Sequence, residues 1–355
     1  MPLTLARQRL RTQGLLDSQF QGSAEVVTAL GAMQAQDYAG AKWAIAQRLP
    51  HATDTTLDQA FNAGEILRTH VLRPTWHFVA PADIRWMLAL TAPCIHALNA
   101  YWYRKFELDD AIFARTHEVM IKEMQGGKHL MRTELTTALE EVGIVASELR
   151  SSYLMMHAEI EGLICSGPRK GKQFTYALLN EWVSPAKTLA PEDALAELTL
   201  RYFTGHGPAM IQDFVWWSGL TVADAKNGLE AVKSQLAHET IDDKTYWWSR
   251  LPSVPVIESQ KRTPTVYLLP NYDELLLTYQ DRSGIEGADE YMKTMERGSI
   301  LFSHTIVIDE RVAGTWKRSF QKGVVSIVAN TFRPLTPDEQ TPLLLRRIAM
   351  GSFWA

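Results

Sequence analysis

The sequence predicts an α+β fold in which three tandem winged-helix (helix-turn-helix) domains precede a small C-terminal β-barrel. Two patterns predict this fold. Segments of helical period are followed three times by a pair of short strand-like runs, and strand-like segments are frequent after Pro252. The length of the chain is compatible with several domains, because 355 residues of which 46% are hydrophobic can form several cores.

The first winged helix is expected at residues 1–92. Ser23 is a good N-cap for its first amphipathic helix. Residues 65–72 and 75–81 then have the composition and period of two strands, joined through Arg73-Pro74. The helical segments before them are 23–33, 40–49 and 56–64.

The second winged helix, residues 93–186, repeats the order of helices and strands. Two strands are expected in 163–178, around the basic turn "GPRKGK" at 167–172. Such a turn suits a wing that lies on a nucleic-acid backbone. The helical segments that precede it are 109–125, 132–144 and 146–164.

A third and weaker copy is expected at residues 187–252, with Asp242-Asp243 as the turn of its hairpin. Residues 253–355 form the β-barrel domain, which ends in a helix at 336–353. Within this last domain, the acidic stretch around Asp273 and Glu274 is interpreted as a polar loop ahead of a strand.

Composition excludes several classes of protein. No GxxxxGK[ST] or GxGxxG motif is present, so no nucleotide cofactor is expected. Two distant cysteines without Cys/His spacing argue against a zinc site and fit a reducing cytoplasm. No apolar stretch resembles a signal peptide or a membrane span. The net charge of −4 counts mildly against DNA binding, but the basic residues are clustered.

Gln34 and Gln36 are the candidate catalytic residues. In a helix they would point about 200° apart, whereas in extended backbone they share a face and can serve one ligand. The functional interpretation therefore requires the preceding helix to end near Met33. A polar helix terminus is the alternative. Asp37 next to them is either a general base or, as we favour, the cap of the next helix.

Candidate DNA-binding residues occur in three places. Arg68, Arg73 and His77 flank or lie in the first hairpin, where a solvated surface and a structural histidine are the alternatives. Phosphate contacts are expected from the second hairpin, and an ordinary exposed turn is the alternative. The residues of that turn and of the "TWKR" segment are Arg169, Lys170, Lys172, Lys317 and Arg318.

Five segments together resemble the winged-helix DNA glycosylases of the AlkZ/YcaQ-like family. They are "LGAMQAQDYAGAKWAIAQRL", "HVLRPTWHFVAPADIRWML", "GHGPAMIQDFVWWSGL", "LLPNYDELLLTYQDR" and "GTWKR". The resemblance implies three winged helices plus a β-barrel around a DNA-binding surface. It also implies a catalytic motif of Gln, an apolar residue, and Gln or Asp, which Gln34-Ala35-Gln36 matches in its Gln/Gln version.

The resemblance implies a monofunctional DNA glycosylase that excises N7-alkylated purines from double-stranded DNA, with interstrand crosslinks as a further candidate substrate. We expect a monomer that needs neither metal nor cofactor. The alternative is a non-catalytic winged-helix DNA-binding protein, such as a transcriptional regulator. A degenerate family member that acts as a resistance or scaffold protein without turnover is a third interpretation.

Overall fold

The computed structural model describes residues 4–186, 188–250, 263–288, 291, 304–321 and 324–354. The helices in these ranges are α1 Leu5–Thr12, α2 Ser23–Leu30, α3 Tyr38–Ala46, α4 Asp54–Asn62, α5 Ile84–Lys105, α6 Asp110–Met124, α7 Arg132–Glu141, α8 Glu148–Ile160, α9 Leu179–Trp182, α10 Pro191–Gly205, α11 Ile211–Ser218, α12 Val222–Val232, α13 Glu274–Leu277 and α14 Pro337–Phe353. None of these helices has the length and apolarity needed to cross a membrane.

The strands are short except in the C-terminal sheet. They are β1 Ala32–Gln34, β2 Leu67–His70, β3 Trp76–Val79, β4 Leu130–Met131, β5 Ile164–Lys170, β6 Gln173–Leu178, β7 Leu236–Ile241, β8 Lys244–Ser249, β9 Val266–Leu269, β10 His304–Ile308, β11 Arg311–Gln321 and β12 Val324–Thr331. The predicted order of helices followed by a hairpin is therefore present three times, at β2–β3, β5–β6 and β7–β8. That each copy is a winged-helix domain stays a prediction.

The chain forms two compact units that are not contiguous in sequence. Unit 1 comprises Met1–Leu57, Leu200–Phe214 and Lys233–Ala355, and unit 2 comprises Asp58–Thr199 and Val215–Val232. The boundary at 252/253 lies outside the described residues, and the four consecutive domains stay a prediction.

Unit 1 contains an antiparallel sheet in the order β12-β11-β10-β9. The sequence analysis expected a closed barrel here, but within the described ranges β9 and β12 are the two edges of an open sheet. Four strands are too few for a small barrel, and α14 packs against β9 and β12. The core of this unit joins residues of α1 to this sheet, for example Leu10, Tyr267 and Val307.

Unit 2 contains α5–α9 and the three-stranded sheet β4-β6-β5. Its core is formed by apolar residues of the helices and the sheet, including Met120, Leu139, Leu154 and Ile164. α7 ends at Glu141 shortly before Gly143, whose φ is 78°. The helix predicted at 132–144 thus ends three residues earlier, and Gly143 lets the chain turn away because glycine adopts a positive φ at little cost.

Candidate active site

The segment that carries both candidate glutamines lies between two helices of unit 1. α2 ends at Leu30, and Gly31 follows with a φ of 75° while its N–H donates to the carbonyl of Thr28 at 3.1 Å. Gln34 is the last residue of β1, and α3 begins only at Tyr38. Both carboxamides therefore lie outside regular helix, which is the backbone condition that their shared role requires.

The two glutamines differ in exposure. Gln34 exposes 8% of its surface, Ala35 is fully buried, and Gln36 is exposed. Burial does not alternate along this segment, because Met33, Gln34 and Ala35 are all buried and exposure begins at Gln36. Gln36 is thus the more accessible of the two residues.

Glu274 fixes the backbone of Gln34. The Gln34 N–H donates to Glu274 Oε1 at 3.1 Å, and the Glu274 side chain is almost fully buried. The second carboxylate oxygen lies 3.4 Å from Nε2 of His206, which is completely buried. A hydrogen bond to a buried carboxylate is stronger than one to a neutral acceptor, so this contact holds the strand end in place.

Asp273 and Glu274 do not form the polar loop that the sequence analysis favoured. Asp273 caps the short helix α13, with its side chain accepting from the N–H of Leu275. It also receives two bonds from Arg48, at 2.9 and 3.1 Å, and neither side chain is exposed. The expectation was wrong because the partner that makes burial of Asp273 tolerable is distant in sequence.

Asp37 is the N-cap of α3, as the sequence analysis favoured. Its Oδ1 accepts from the N–H of Gly40 at 3.1 Å, and the residue is half-buried. A Cβ on Gly40 would approach Asp37 Oδ2 to 2.8 Å. The glycine therefore leaves room for the capping carboxylate directly after Gln36.

Two basic side chains lie within the electrostatic reach of Asp37. Arg318 on β11 places its guanidinium 3.9 Å from the ring centroid of Trp354. Burial lowers the pKa of Arg318, and the charges of Asp37 and Asp54 offset part of that effect. Arg318, one of the predicted DNA-binding residues, thus interacts electrostatically with the residue next to Gln36. Its neighbour Lys317 is exposed.

His304 is the second basic group near Asp37. Its ring stacks on Trp316 at a centroid distance of 4.1 Å, and its Nδ1 accepts from the N–H of Asn271 at 3.1 Å. Burial lowers the pKa of His304 to about 4, although Asp37 acts in the opposite direction. The ring is therefore neutral at neutral pH and carries its proton on Nε2.

The first hairpin belongs to unit 2, and its basic residues are largely enclosed. Arg68 is 5% exposed, with its guanidinium 4.2 Å from the ring centroid of Trp76 and 4.5 Å from that of Phe174. His77 is 1% exposed and bonds the carbonyl of Thr75. Arg73 is half-buried. A DNA contact by these residues stays a prediction, and their packing gives Arg68 and His77 a structural role.

The second hairpin presents its two lysines at the tip. Gly171, with a φ of 60°, and Lys172 form the turn between β5 and β6, and both Lys170 and Lys172 are exposed. Arg169 is half-buried, and its guanidinium lies 3.5 Å from the carboxylate of Asp58. The tip has the form expected of a basic wing, and its contact with phosphates stays a prediction.

Sequence reasoning missed Glu274 and His304 as neighbours of the glutamine segment. Glu274 is 240 residues from Gln34 in the chain. No local sequence pattern predicts a contact between residues so far apart in the chain. The two signals that did exist were the DE pair within "PNYDELLL", which was interpreted as a loop, and the isolated His304 at the start of a strand-like run.

The comparisons with known proteins agree on one family. A family model described as DNA glycosylase AlkZ-like matches residues 27–353. A protein of Streptomyces sahachiroi named interstrand DNA cross-link repair glycosylase is 24% identical over 341 residues, which is 92% of this chain and 90% of that protein. The structure of Streptomyces sahachiroi DNA glycosylase AlkZ superposes with a TM-score of 0.79 at 20% identity, covering 100% of this chain and 98% of that one. The chain therefore belongs to the family of AlkZ-like DNA glycosylases.

Proposed function

We propose that this protein excises N7-alkylated purines from double-stranded DNA as a monofunctional, monomeric glycosylase, with Gln34 and Gln36 positioning the attacking water. Interstrand crosslinks that join two N7-alkylated purines form a second substrate class. The relative named as a cross-link repair glycosylase supports this extension.

The reaction needs little acid or base catalysis. A purine alkylated at N7 carries a positive charge, so the electrons of the N-glycosidic bond leave with the base and neutralise it. The sugar becomes oxocarbenium-like, and water adds at C1′ while its proton passes to the solvent. Carboxamides donate through nitrogen and accept through oxygen, so they orient such a water without deprotonating it.

The observation that carries the proposal is the anchored, non-helical glutamine segment. Glu274 holds the Gln34 N–H at 3.1 Å, and Gln36 is exposed two residues later. A fixed backbone keeps both amides close to one geometry, which is what catalysis by positioning demands. The side chains of unit 1 next to this segment include Arg318, whose cationic group suits a DNA phosphate.

Phosphate contacts are assigned to the exposed basic residues. Lys170 and Lys172 at the hairpin tip, together with Lys317 on β11, have the exposure that a contact with DNA requires. Such contacts bind without reading sequence, which suits an enzyme that must find a lesion anywhere in a duplex.

An abasic-site assay tests the activity. Wild-type protein is incubated with duplexes that carry N7-methylguanine or an N7-linked interstrand crosslink, and abasic sites are cleaved and counted. We expect abasic product from the N7-methylguanine duplex and none from an undamaged duplex. Absence of product from both lesions, combined with tight binding to one undamaged sequence, would favour the transcriptional regulator.

A further inference from the structure

A cluster of imidazoles and one carboxylate lies in unit 2, among α5, α6 and the C-terminal end of α8. A ring nitrogen of His96, a ring nitrogen of His157 and a carboxylate oxygen of Glu161 all lie within 4.8 Å of one another. His96 belongs to α5, while His157 and Glu161 are four residues apart at the end of α8. Residues at this spacing project from the same side of a helix.

Nδ1 of each histidine in the cluster contacts a neighbouring side chain. His96 Nδ1 bonds the hydroxyl of Tyr103 at 3.0 Å, and His157 Nδ1 lies 3.2 Å from Nε2 of His117. Both rings thus have the outer partner that orients metal-bound histidines in known sites. His96 Nε2 lies 2.7 Å from Glu161 Oε1, and His157 contributes one ring nitrogen to the cluster.

We propose that His96, His157 and Glu161 form a binding site for a late first-row divalent cation, with Zn²⁺ as the preferred ion. Imidazole and carboxylate are ligands that Zn²⁺ takes at about 2.0–2.2 Å, which separates two tetrahedral ligands by about 3.4 Å. The pair His96–Glu161, at 2.7 Å, has to open by less than an ångström, and ligand atoms that lie up to 4.8 Å apart have to approach by as much as about 1.4 Å. When the cation binds, the ring proton of neutral His96 moves through solvent from Nε2 to Nδ1, and the Nδ1–H then donates to the Tyr103 hydroxyl, while Glu161 exchanges its hydrogen bond with His96 for the cation.

The cluster is accessible to an ion from solvent. The side chain of His96 is 25% exposed and that of Glu161 46% exposed. Three protein ligands leave a fourth position for water, and the stacking of His157 on Phe113, with centroids 3.6 Å apart, fixes the inner ring. A bound cation would join α5 to the end of α8 and stabilise unit 2. The sequence analysis expected no metal, because these ligands come from separate helices and show no short motif.

The test is titration of tag-free, chelator-treated full-length protein with ZnCl₂ in a calorimeter, together with the visible absorption of the Co²⁺ form. We expect one Zn²⁺ per chain, a tetrahedral Co²⁺ spectrum and a higher melting temperature with Zn²⁺. His96→Gln and Glu161→Gln should abolish all three effects. His117→Ala should weaken binding by about tenfold or more, because it removes only the partner that orients His157.

The matched control is His51→Asn, which removes an exposed imidazole in unit 1 and tolerates the φ of 65° found there. It should bind Zn²⁺ as the wild type does. Equal Zn²⁺ affinity in wild type, His96→Gln and Glu161→Gln would overturn the assignment, as would a wild type that gives neither heat nor a Co²⁺ spectrum. Circular dichroism of each variant separates lost binding from lost folding.

Discussion

At the residue scale, the contact between Glu274 and Gln34 joins two distant parts of unit 1 at the candidate site. The carboxylate is 2% exposed, so it is desolvated and must be compensated by the donors around it. The Gln34 N–H at 3.1 Å is one of them. Glu274 therefore holds the backbone of Gln34 from inside the protein.

Replacing Glu274 tests this positioning role. Glu274→Ala leaves a buried N–H without its acceptor, which costs about 1–3 kcal/mol of unfolding free energy. Excision should fall as well, because the segment loses its anchor. Glu274→Gln keeps an acceptor oxygen and should recover most of the excision rate. Urea denaturation and a single-turnover excision assay measure both effects. Equal excision by the alanine and glutamine variants would contradict the role of the hydrogen bond.

At the scale of elements, α3 begins immediately after the glutamine segment and depends on Asp37 as its cap. Asp37→Ala should lower the unfolding free energy by about 1 kcal/mol, whereas Asp37→Asn, which also caps helices well, should cost little. Since no general base is needed, Asp37→Asn should retain excision. An asparagine variant as stable as wild type but inactive would instead identify Asp37 as the base.

If the β5–β6 hairpin contacts DNA phosphates, its lysines contribute to the salt dependence of DNA binding. Each phosphate contact contributes about −0.9 to the slope of log K against log salt, so Lys170→Ala/Lys172→Ala should make the slope less negative by about two. Binding should weaken equally on all duplex sequences. Fluorescence anisotropy over a series of KCl concentrations measures the slope.

The control for this experiment removes two exposed lysines from helices of the same unit. Lys122→Ala/Lys226→Ala changes the net charge by the same amount and should leave the slope close to that of the wild type. If the hairpin variant and this control showed the same slope, the hairpin would not be a DNA contact.

Elements with a strong local signal could be predicted from the sequence. The β7–β8 turn is at Asp242-Asp243, both with positive φ, as the dipeptide indicates. The start of α2 was placed one residue late, since Gly22 rather than Ser23 is its N-cap. The predictions of a closed barrel and of a loop at Asp273 were wrong. The barrel depends on which strands pair, and the structure at Asp273 depends on its partner Arg48, which is 225 residues away in the chain.

The candidate site was predictable only in part for the same reason. The position of Gln34 and Gln36 outside a helix follows from Gly31 and the polar residues after it, which are local. Burial of Arg68 between Trp76 and Phe174 depends on packing between a hairpin and a strand more than 100 residues later in the chain. Surface and core cannot be distinguished for such an arginine from its neighbours in sequence.

At the scale of the whole molecule, buried neutral histidines link folding stability to pH. The pKa of His77 is lowered to about 3, mainly by burial and then by the charges of Arg73 and His70, and that of His304 is lowered to about 4. The unfolded chain binds these protons from a pH of about 6.5 downward, and the folded chain does not. Stability should therefore be complete above this pH and fall as the pH decreases from about 6.5 toward 4.

Urea denaturation at several pH values between 7.5 and 5 measures this loss, in a buffer with chelator. His77→Gln removes one of these histidines. It should reduce the slope of the unfolding free energy against pH by up to about 1.4 kcal/mol per pH unit, the value for one proton. An equal slope in wild type and His77→Gln would show that folding does not lower the pKa of His77.

The molecule as a whole carries a net charge of −4, which does not favour binding to a polyanion. In the proposed mechanism, selectivity for damaged DNA comes from the site and the lesion. Neutral amides give little assistance to a poor leaving group. An enzyme built in this way should act on cationic bases and leave normal purines intact, because the charge on the lesion supplies the driving force for departure.

The most direct measurement is the single-turnover rate of N7-methylguanine release from duplex DNA by Gln34→Ala and Gln36→Ala, with Gln19→Ala as the matched control on the exposed surface of unit 1. The account predicts that loss of water positioning slows excision by about 100-fold in either variant, with DNA affinity largely kept and the control as fast as the wild type. Release at the wild-type rate by both variants would contradict it.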